Sequence, residues 1–229
     1  MTASEFDRFA STYDQDLAKA LAATGESKDF FAQTRVNWVA SCLNHLQAPA
    51  SRVLDFGCGI GSNSPILKTT LQAKAVTGVD VSEESINQAR ARYASGDLSF
   101  SALKDYHPDA SYDLVFTCAV FHHIPVADRT AALETIRGSL KPGGLFAFWE
   151  HNPWNPGTRY VMSQCVFDED AVTISIPAGR KLLTNAGFQL VRTDSLFYFP
   201  RALRFLRPLE RWLRAVPLGG QYLVLARKA

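Results

Sequence analysis

Short apolar runs alternate with amphipathic helical segments through the middle of this chain. The runs are bounded by glycines and turn residues, and their length is typical of buried strands. We expect strands at residues 52–56, 75–79, 98–102, 112–118 and 145–149, and helices at 64–71, 83–93 and 126–140, the second of which Ser82 would cap. Strands that alternate with helices need right-handed crossovers. The sequence therefore predicts an α/β fold with a doubly wound, mostly parallel sheet and helices on both faces.

Further segments extend this pattern on both sides. Residues 29–46 carry apolar side chains at three- and four-residue steps, which predicts an amphipathic helix. After residue 150 the alternation lapses up to residue 177, and this irregular stretch is a candidate lid. The remaining expected elements are a helix at 178–185, which Gly187 would end, and strands at 188–199 and 221–226. They complete a sheet of seven strands, of which the last is expected to be antiparallel.

Charge and cysteine content argue against several classes of partner. The formal net charge of +2 is too small to indicate a nucleic-acid-binding face, which needs clustered lysines and arginines. The four cysteines form no CxxC pair, so they predict reduced thiols in the cytoplasm and no zinc site. No apolar run has the length of a signal peptide or of a membrane span. We expect a cytoplasmic protein without a nucleic-acid partner.

Three glycines at alternate positions follow the first predicted strand. Residues 53–61 read VLDFGCGIG and contain Gly57, Gly59 and Gly61 directly before a helix. Nucleotide-like ligands bind at this place in an open α/β sheet. The third glycine comes one residue too early for the dinucleotide fingerprint, and Asp55 would repel a pyrophosphate. The loop therefore predicts a ligand with a positive charge rather than a nicotinamide dinucleotide.

This loop and further motifs resemble those of the class I, Rossmann-like, S-adenosylmethionine-dependent methyltransferases. The further motifs are VTGVDVS at 76–82, YDLVF at 112–116, FHHIP at 121–125 and LKPGGL at 140–145. The segment FDRFASTYD at 6–14 is similar to the start of the small-molecule branch that includes quinone-biosynthesis methyltransferases. The resemblance extends over residues 6–150.

The resemblance implies S-adenosylmethionine as the cofactor. Asp80 would accept hydrogen bonds from both ribose hydroxyls, a task that suits a carboxylate. Ser101 stands where many relatives have an acid that meets the adenine amino group. The full set of implied cofactor residues is Tyr13, Asp55, Gly57, Gly59, Gly61, Asp80, Val81, Ser101, Ala102 and Cys118.

Three histidines could supply a general base for catalysis. His122 and His123 follow the fourth predicted strand and His151 ends the fifth, so all three should lie at the ligand-facing edge of the sheet. In the related family the histidine pair also positions the loop by hydrogen bonds, and this alternative stays open. Glu150, His151 and Trp154 are expected to contact the substrate. We expect no metal, because adjacent residues of an extended chain point opposite ways.

The resemblance also implies an organisation and a function for the whole chain. We expect a single methyltransferase domain over 1–229, with a helical cap at 1–50, a cofactor-binding core at 51–150, and a lid and substrate region with C-terminal strands at 151–220. The implied function is methyl transfer to an oxygen, nitrogen or carbon of a small metabolite, with hydrophobic and lipid-linked molecules among the candidates. The alternatives are a non-catalytic partner subunit that binds S-adenosylmethionine, and a nucleic-acid methyltransferase.

Five arginines recur within residues 201–214. On a helical wheel they lie opposite apolar side chains, although Pro208 must kink or end a helix there. A basic amphipathic helix can make peripheral contact with an anionic membrane. Such a stripe can also be a solvated face over apolar side chains that pack on the sheet or close the substrate pocket. Both alternatives stay open at this stage.

Overall fold

A seven-stranded sheet forms the centre of the protein. A computed structural model describes Asp7 and residues 12–229. The strands are β1 (Arg52–Phe56), β2 (Ala75–Asp80), β3 (Leu98–Ala102), β4 (Tyr112–Cys118), β5 (Leu140–His151), β6 (Phe188–Leu196) and β7 (Gln221–Lys228). They lie in the order β3-β2-β1-β4-β5-β7-β6. Neighbours from β3 to β5 pair in parallel, whereas β7 is antiparallel to β5 and to β6. The prediction of a mostly parallel sheet with an antiparallel last strand is confirmed.

Helices cover both faces of this sheet. They are α1 (Tyr13–Leu21), α2 (Lys28–Leu46), α3 (Ser64–Leu71), α4 (Glu83–Tyr93), α5 (Arg129–Ser139), α6 (Pro156–Ser163), α7 (Ile176–Asn185) and the single turn α8 (Glu210–Leu213). Successive residues of the central strands point into two separate cores. Val53 and Leu114 pack with residues of α2, α3 and α4, while Leu54 and Val115 pack with residues of α5 and α7. The double winding predicted from the alternation is therefore present.

Side-chain caps explain where several helices begin. The Ser82 hydroxyl accepts a hydrogen bond from the backbone N–H of Ser85 at 3.1 Å, as expected of an N-cap residue at the start of α4. Gly187 follows the end of α7 with a φ of +79°, in the left-handed region that favours glycine. The start of α4 at Ser82 and the end of α7 before Gly187 were both predicted from these residue types.

Two stretches of the chain differ from the prediction. The expected irregular stretch after residue 150 contains helix α6, because Asn155 caps it and Pro156 occupies its first position. The arginine-rich stretch is not one α-helix: it has 3₁₀ geometry over Arg201–Leu209 with a kink at Leu203 (φ −108°, ψ 23°), and α8 follows it. Pro208 has no N–H to donate in an α-helical turn, which is consistent with this tighter geometry. β6 also ends earlier than expected, since Phe197 has a φ of +64°.

The topology brings four strand ends to one edge of the sheet. β1, β2, β4 and β5 are parallel, so their carboxyl ends and the loops that follow lie side by side. The strand order reverses between β1 and β4, and ligands of open α/β sheets bind in the crevice at such a switch point. A binding site is therefore expected at this edge, above β1 and β4.

Candidate cofactor and acceptor site

A cavity of about 520 Å³ opens at the predicted edge of the sheet. Its walls come from the loop after β1, the ends of β2, β4 and β5, helices α1 and α2, and the residues around Asp168. The volume lies within the range of small-molecule sites, about 300–1,000 Å³. One cavity thus joins the expected cofactor loop to His151, one of the expected substrate residues.

The glycine loop places its backbone against this cavity. Gly57 and Gly59 line the cavity and have φ values of +75° and +53°. The N–H of Gly57 donates to the carbonyl of Val79 at 2.8 Å, which ties the loop to β2. A Cβ on Gly57 would lie 2.5 Å from a methyl of Val120, so only glycine fits there. Gly61 does not line the cavity and packs instead against Ala89 and Phe100.

Asp80 lies at the end of β2 in the cavity wall. Its two carboxylate oxygens accept backbone hydrogen bonds from Gly59 at 2.8 Å and from Ser82 at 3.0 Å. Each carboxylate oxygen has a second lone pair, so both can still accept a hydrogen bond from a ligand hydroxyl. Val81 also lines the cavity and is partly exposed, which offers an apolar surface beside the acid.

The remaining implied cofactor residues divide into two groups. Tyr13 and Cys118 line the cavity, whereas Asp55, Ser101 and Ala102 do not. Asp55 lies beneath the loop with 1% of its surface exposed and accepts a hydrogen bond from the Ser64 hydroxyl at 2.6 Å. Burial raises the pKa of Asp55 to about 7. In the structure this carboxyl therefore supports the loop from below.

Three histidines and two acids form a buried group that we call the histidine cluster. Its members are His122, His123, Glu150, His151 and Asp168. The Nδ1 of His122 lies 2.6 Å from the Oε2 of Glu150, whose other oxygen accepts the N–H of Phe121 at 2.7 Å. The Nε2 atoms of His122 and His123 lie 3.4 and 3.3 Å from the Oδ1 of Asp168. The rings of His122 and His151 are 5.2 Å apart. The two acids therefore hold His122 from both sides.

Electrostatics give the three histidines different protonation states. Burial alone lowers the pKa of His122, but the carboxylates of Glu150 and Asp168 raise it to about 9. Burial and then the positive charge of His122 lower the pKa of His123 to about 3 and that of His151 to about 4. At neutral pH His122 is an imidazolium cation, while His123 and His151 are neutral. Of the three rings, only those of His123 and His151 can accept a proton at neutral pH.

The same cluster has the residue types of a metal site. Ligand atoms of His122, His123 and Asp168 all lie within 4.8 Å of one another. The two adjacent histidines belong to a turn rather than to an extended strand, so both rings reach the same acid. Ion pairing between His122 and its two carboxylates accounts for the arrangement without a metal, and the expectation of no metal stays a prediction.

The predicted substrate residues are not all in the cavity wall. His151 lines the cavity, and Glu150 lies behind His122 with 2% of its surface exposed. Trp154 does not line the cavity and is 46% exposed. Glu150 can thus act on a ligand only through His122.

Arg35 and Asp168 are among the charged residues of the site that sequence reasoning missed. Arg35 lines the cavity from α2, and its position between the buried Ala32, Val36 and Val39 was a signal, because a charged residue is unusual on a buried face. Asp168 comes from the 3₁₀ turn Val166–Asp168 after α6, and no spacing in the sequence links it to His122.

Arg35 has an incomplete set of hydrogen-bond partners. Its Nη1 donates to the Oε1 of Gln221 at 3.1 Å, and its Nε is buried without a hydrogen-bond partner. No ion pair within the described part of the chain involves Arg35. Its charge influences the pKa values of Tyr13, Cys118 and His151, so it lies close to all three. Buried donors of this kind are normally paired.

Comparison with known proteins agrees with this geometry. Residues 54–146 match the family model of a methyltransferase domain. The trans-aconitate 2-methyltransferase of Rhodopseudomonas palustris (strain BisB18) is 30% identical over 118 residues, which cover 52% of this chain and 45% of that protein. Residues 54–146 are thus similar to methyltransferase domains in sequence.

Other methyltransferases match a larger part of the chain. The sterol 24-C-methyltransferase of Aspergillus fumigatus is 27% identical over 191 residues, which cover 77% of this chain and 50% of that protein. A solved S-adenosylmethionine-dependent methyltransferase from Thermotoga maritima superposes with a TM-score of 0.66 at 20% identity and covers 98% of both chains. The chain spans about half the length of the curated relatives described here.

Two further findings concern the expectations from composition. All four cysteines of the chain are free thiols. Among the helices that the structure describes, none combines the length and the apolar character needed to cross a membrane.

Proposed function

We propose that the protein transfers a methyl group from S-adenosylmethionine to a small acceptor that carries an acidic group. The observation that carries the proposal is Arg35, whose Nε is buried without a hydrogen-bond partner in the wall of the cavity that also contains the glycine loop. A carboxylate or phosphate would provide the missing acceptor through charge-assisted hydrogen bonds.

The cofactor part of the proposal depends on the shape and charge of the glycine loop. The backbone of Gly57 and Gly59 has the open surface that a ligand can approach, and Asp80 has the free lone pairs that ribose hydroxyls need. Asp55 lies beneath the loop with its pKa raised to about 7 by burial, so a nearby cationic methionyl group of the cofactor would favour its charged form. When bound, S-adenosylmethionine supplies a methyl group that is activated by its sulfonium.

The acceptor part depends on the cavity wall around Arg35. Arg35, Cys118 and His151 are neighbours, so an acid held by Arg35 would lie at the ends of β4 and β5. The match to trans-aconitate methyltransferases, whose named substrate is a carboxylic acid, supports this class. The protein's main task is then to orient the acceptor atom towards the methyl group and to exclude water, which is largely a positioning effect.

A hydroxyl or protonated amine acceptor would also need a general base. His151 is neutral and lines the cavity, so its ring can take the proton, and an anionic acceptor beside it raises its pKa towards a useful value. His123 is the second neutral ring. His122 is held by Glu150 and Asp168, and we assign it a positioning role. A carboxylate oxygen or a nucleophilic carbon needs no base.

The test compares Arg35→Met with Lys28→Met. Lys28 also lines the cavity, but Asp14 already pairs with it at 2.7 Å, which makes it a matched control. We would measure S-adenosylhomocysteine binding by calorimetry, and methyl transfer from labelled S-adenosylmethionine to pools of acidic and of neutral metabolites. Loss of a charged hydrogen bond costs about 1.5–3 kcal/mol, so kcat/KM for acidic acceptors should fall by about 10- to 150-fold in Arg35→Met. Lys28→Met should change it less than threefold.

Other outcomes would point to other functions. Transfer to neutral metabolites that is equal in wild type and Arg35→Met would contradict the acidic class of acceptor. Tight S-adenosylhomocysteine binding without transfer to any metabolite would favour a non-catalytic partner subunit, and labelled RNA or DNA would favour a nucleic-acid methyltransferase. In each case the calorimetry separates failure of the acceptor assignment from failure of the cofactor assignment.

A further inference from the structure

Residues 201–218 form an exposed surface that the methyltransferase site does not use. We call this segment the arginine ridge. It contains the 3₁₀ helix Arg201–Leu209, the turn α8 and the loop that leads to β7. None of its residues lines the cavity.

The arginine ridge exposes large apolar side chains. Phe205 is 72% exposed and Trp212 is 71% exposed, and the other partly exposed apolar side chains of the ridge are Leu203, Leu209, Val216 and Leu218. Of the alternatives for this apolar face, packing on the sheet does not describe Phe205 and Trp212, which are exposed. Single exposed apolar residues are ordinary, but six within one short segment mark a contact surface.

Cations accompany these apolar side chains. The ridge has five arginines and one acid, Glu210. Arg201, Arg204, Arg211 and Arg214 are exposed, and the guanidinium of Arg211 lies 4.9 Å from the centre of the Trp212 ring. In a 3₁₀ helix side chains three residues apart are eclipsed, which places Arg204 and Arg207 along one edge and Leu206 and Leu209 along another. Basic and apolar groups thus run side by side.

The backbone of the ridge is held firmly to the sheet. The Glu210 carboxylate accepts hydrogen bonds from the backbone N–H groups of Tyr198 and Phe199, each at 3.1 Å. The Tyr198 hydroxyl donates to the carbonyl of Leu213 at 2.7 Å, and the N–H of Ser195 donates to the carbonyl of Arg214 at 2.8 Å. Glu210 is therefore engaged in fixing the backbone, while the exposed side chains point away from it.

The ridge lies next to one wall of the cavity. Arg207 donates to the carboxylate of Glu26 at 2.8 Å, and its guanidinium lies 4.4 Å from the centre of the Phe30 ring. Phe30 contacts Phe31, which lines the cavity. A surface that contacts the ridge would thus be close to the acceptor side of the site.

We propose that the arginine ridge docks this protein on the surface of an anionic lipid bilayer. Tryptophan and phenylalanine partition into the interfacial region of a bilayer, and arginines beside them pair with anionic headgroups. The charges of the ridge favour an anionic bilayer as its partner. Four exposed arginines accompany the apolar side chains, and the one acid, Glu210, is already engaged by backbone N–H groups. The proposal goes beyond the proposed function and holds whatever the methyl acceptor is.

The test is cosedimentation of the protein with vesicles of phosphatidylcholine containing about one-third phosphatidylglycerol. Near the surface each arginine contributes about 1 kcal/mol, so Arg204→Gln/Arg211→Gln should lower the partition coefficient by about 30-fold. Phe205→Ser/Trp212→Ser should lower it at least tenfold, because both side chains lose apolar area buried in the interface. Pure phosphatidylcholine and high salt should also weaken binding of the wild type.

Controls remove similar groups elsewhere on the surface. Lys74→Gln/Arg137→Gln removes two exposed cations, and Val126→Ser removes an apolar side chain that is 65% exposed. Both should leave vesicle binding within twofold of the wild type, and every variant should retain its affinity for S-adenosylhomocysteine. The proposal is overturned if the wild type does not bind anionic vesicles, or if ridge and control variants bind equally. It is also overturned if sedimentation equilibrium shows a dimer that the ridge variants dissociate and that does not bind vesicles.

Discussion

Replacing Glu150 by glutamine tests the buried ion pair that organises the histidine cluster. The substitution keeps the size of the side chain and removes its charge. In the wild type, the two Glu150 oxygens accept hydrogen bonds from the Nδ1 of His122 at 2.6 Å and from the N–H of Phe121 at 2.7 Å. Both Glu150 and His122 are 2% exposed, so water screens this pair very little.

The size of the effect follows from the burial and from the pKa of His122. Removing one partner of a buried pair costs about 3–5 kcal/mol, because the remaining charge is left without compensation. A pKa raised from 6.5 to about 9 corresponds to about 3 kcal/mol of interaction. Since Asp168 remains 3.4 Å from the other ring nitrogen, we expect the lower value, about 3 kcal/mol. For a chain of this size, this loss lowers the unfolding midpoint by about 6–12 °C.

Urea unfolding at several pH values measures this effect. The stabilisation is present in full below the unfolded pKa of His122, near 6.5, and is lost as the pH rises through about 9. The difference in the free energy of unfolding between the wild type and Glu150→Gln should therefore shrink between pH 6.5 and about pH 9. Glu83→Gln serves as the control, because Glu83 pairs with Lys104 on the surface and such pairs contribute about 1 kcal/mol or less. If Glu150→Gln and Glu83→Gln destabilise the protein equally, or if their difference does not depend on pH, the charged pair does not exist.

Three further predictions concern the loop, the buried acid and the absence of a metal. Gly57→Ala should weaken S-adenosylhomocysteine binding at least tenfold in calorimetry, whereas Gly143→Ala, at a φ of +76° but in open space, should leave it unchanged. Asp55→Asn should raise the unfolding midpoint of the ligand-free protein at pH 8, because it removes a carboxyl whose pKa burial raises to about 7. This gain in stability should disappear towards pH 4, where the wild-type carboxyl is protonated in the folded protein. A lower midpoint of Asp55→Asn at pH 8 would contradict the prediction. Treatment with EDTA should change neither the unfolding midpoint nor the affinity for S-adenosylhomocysteine, because two carboxylates already compensate the positive charge of His122. A loss of stability or affinity that Zn²⁺ or Mn²⁺ reverses would show a metal in the histidine cluster.

The cofactor half of the site could be predicted because its determinants are local in sequence. A buried strand, a glycine loop and a helix follow one another within twenty residues, and the topology of an α/β sheet fixes where that loop lies. Asp80 could be placed in the same way, as the residue that ends the neighbouring strand. The prediction of Ser82 as a helix cap was also correct, since capping depends on residues only three positions apart.

The acceptor half depends on packing between distant segments, which spacing alone does not reveal. Arg35 reaches the cavity because the first half of α2 lines it, and Asp168 reaches His122 from the 3₁₀ turn that follows α6. Helix α6 was missed although Asn155 and Pro156 are common start residues, because eight residues make little more than two turns, too few for an apolar period to stand out in the sequence. The 3₁₀ geometry of the arginine ridge was missed because a helical wheel assumes 3.6 residues per turn.

Calorimetric titration with S-adenosylhomocysteine, in parallel for the wild type, Asp80→Asn and Asp97→Asn, tests the central claim most directly. Asp80 lines the cavity, whereas Asp97 pairs with Lys68 at the surface and serves as the control. The account predicts binding to the wild type and to Asp97→Asn with equal affinity, and a loss of tenfold or more, about 1.4 kcal/mol, in Asp80→Asn. Absence of binding to the wild type, or equal affinity in all three proteins, would contradict the assignment of this cavity to S-adenosylmethionine.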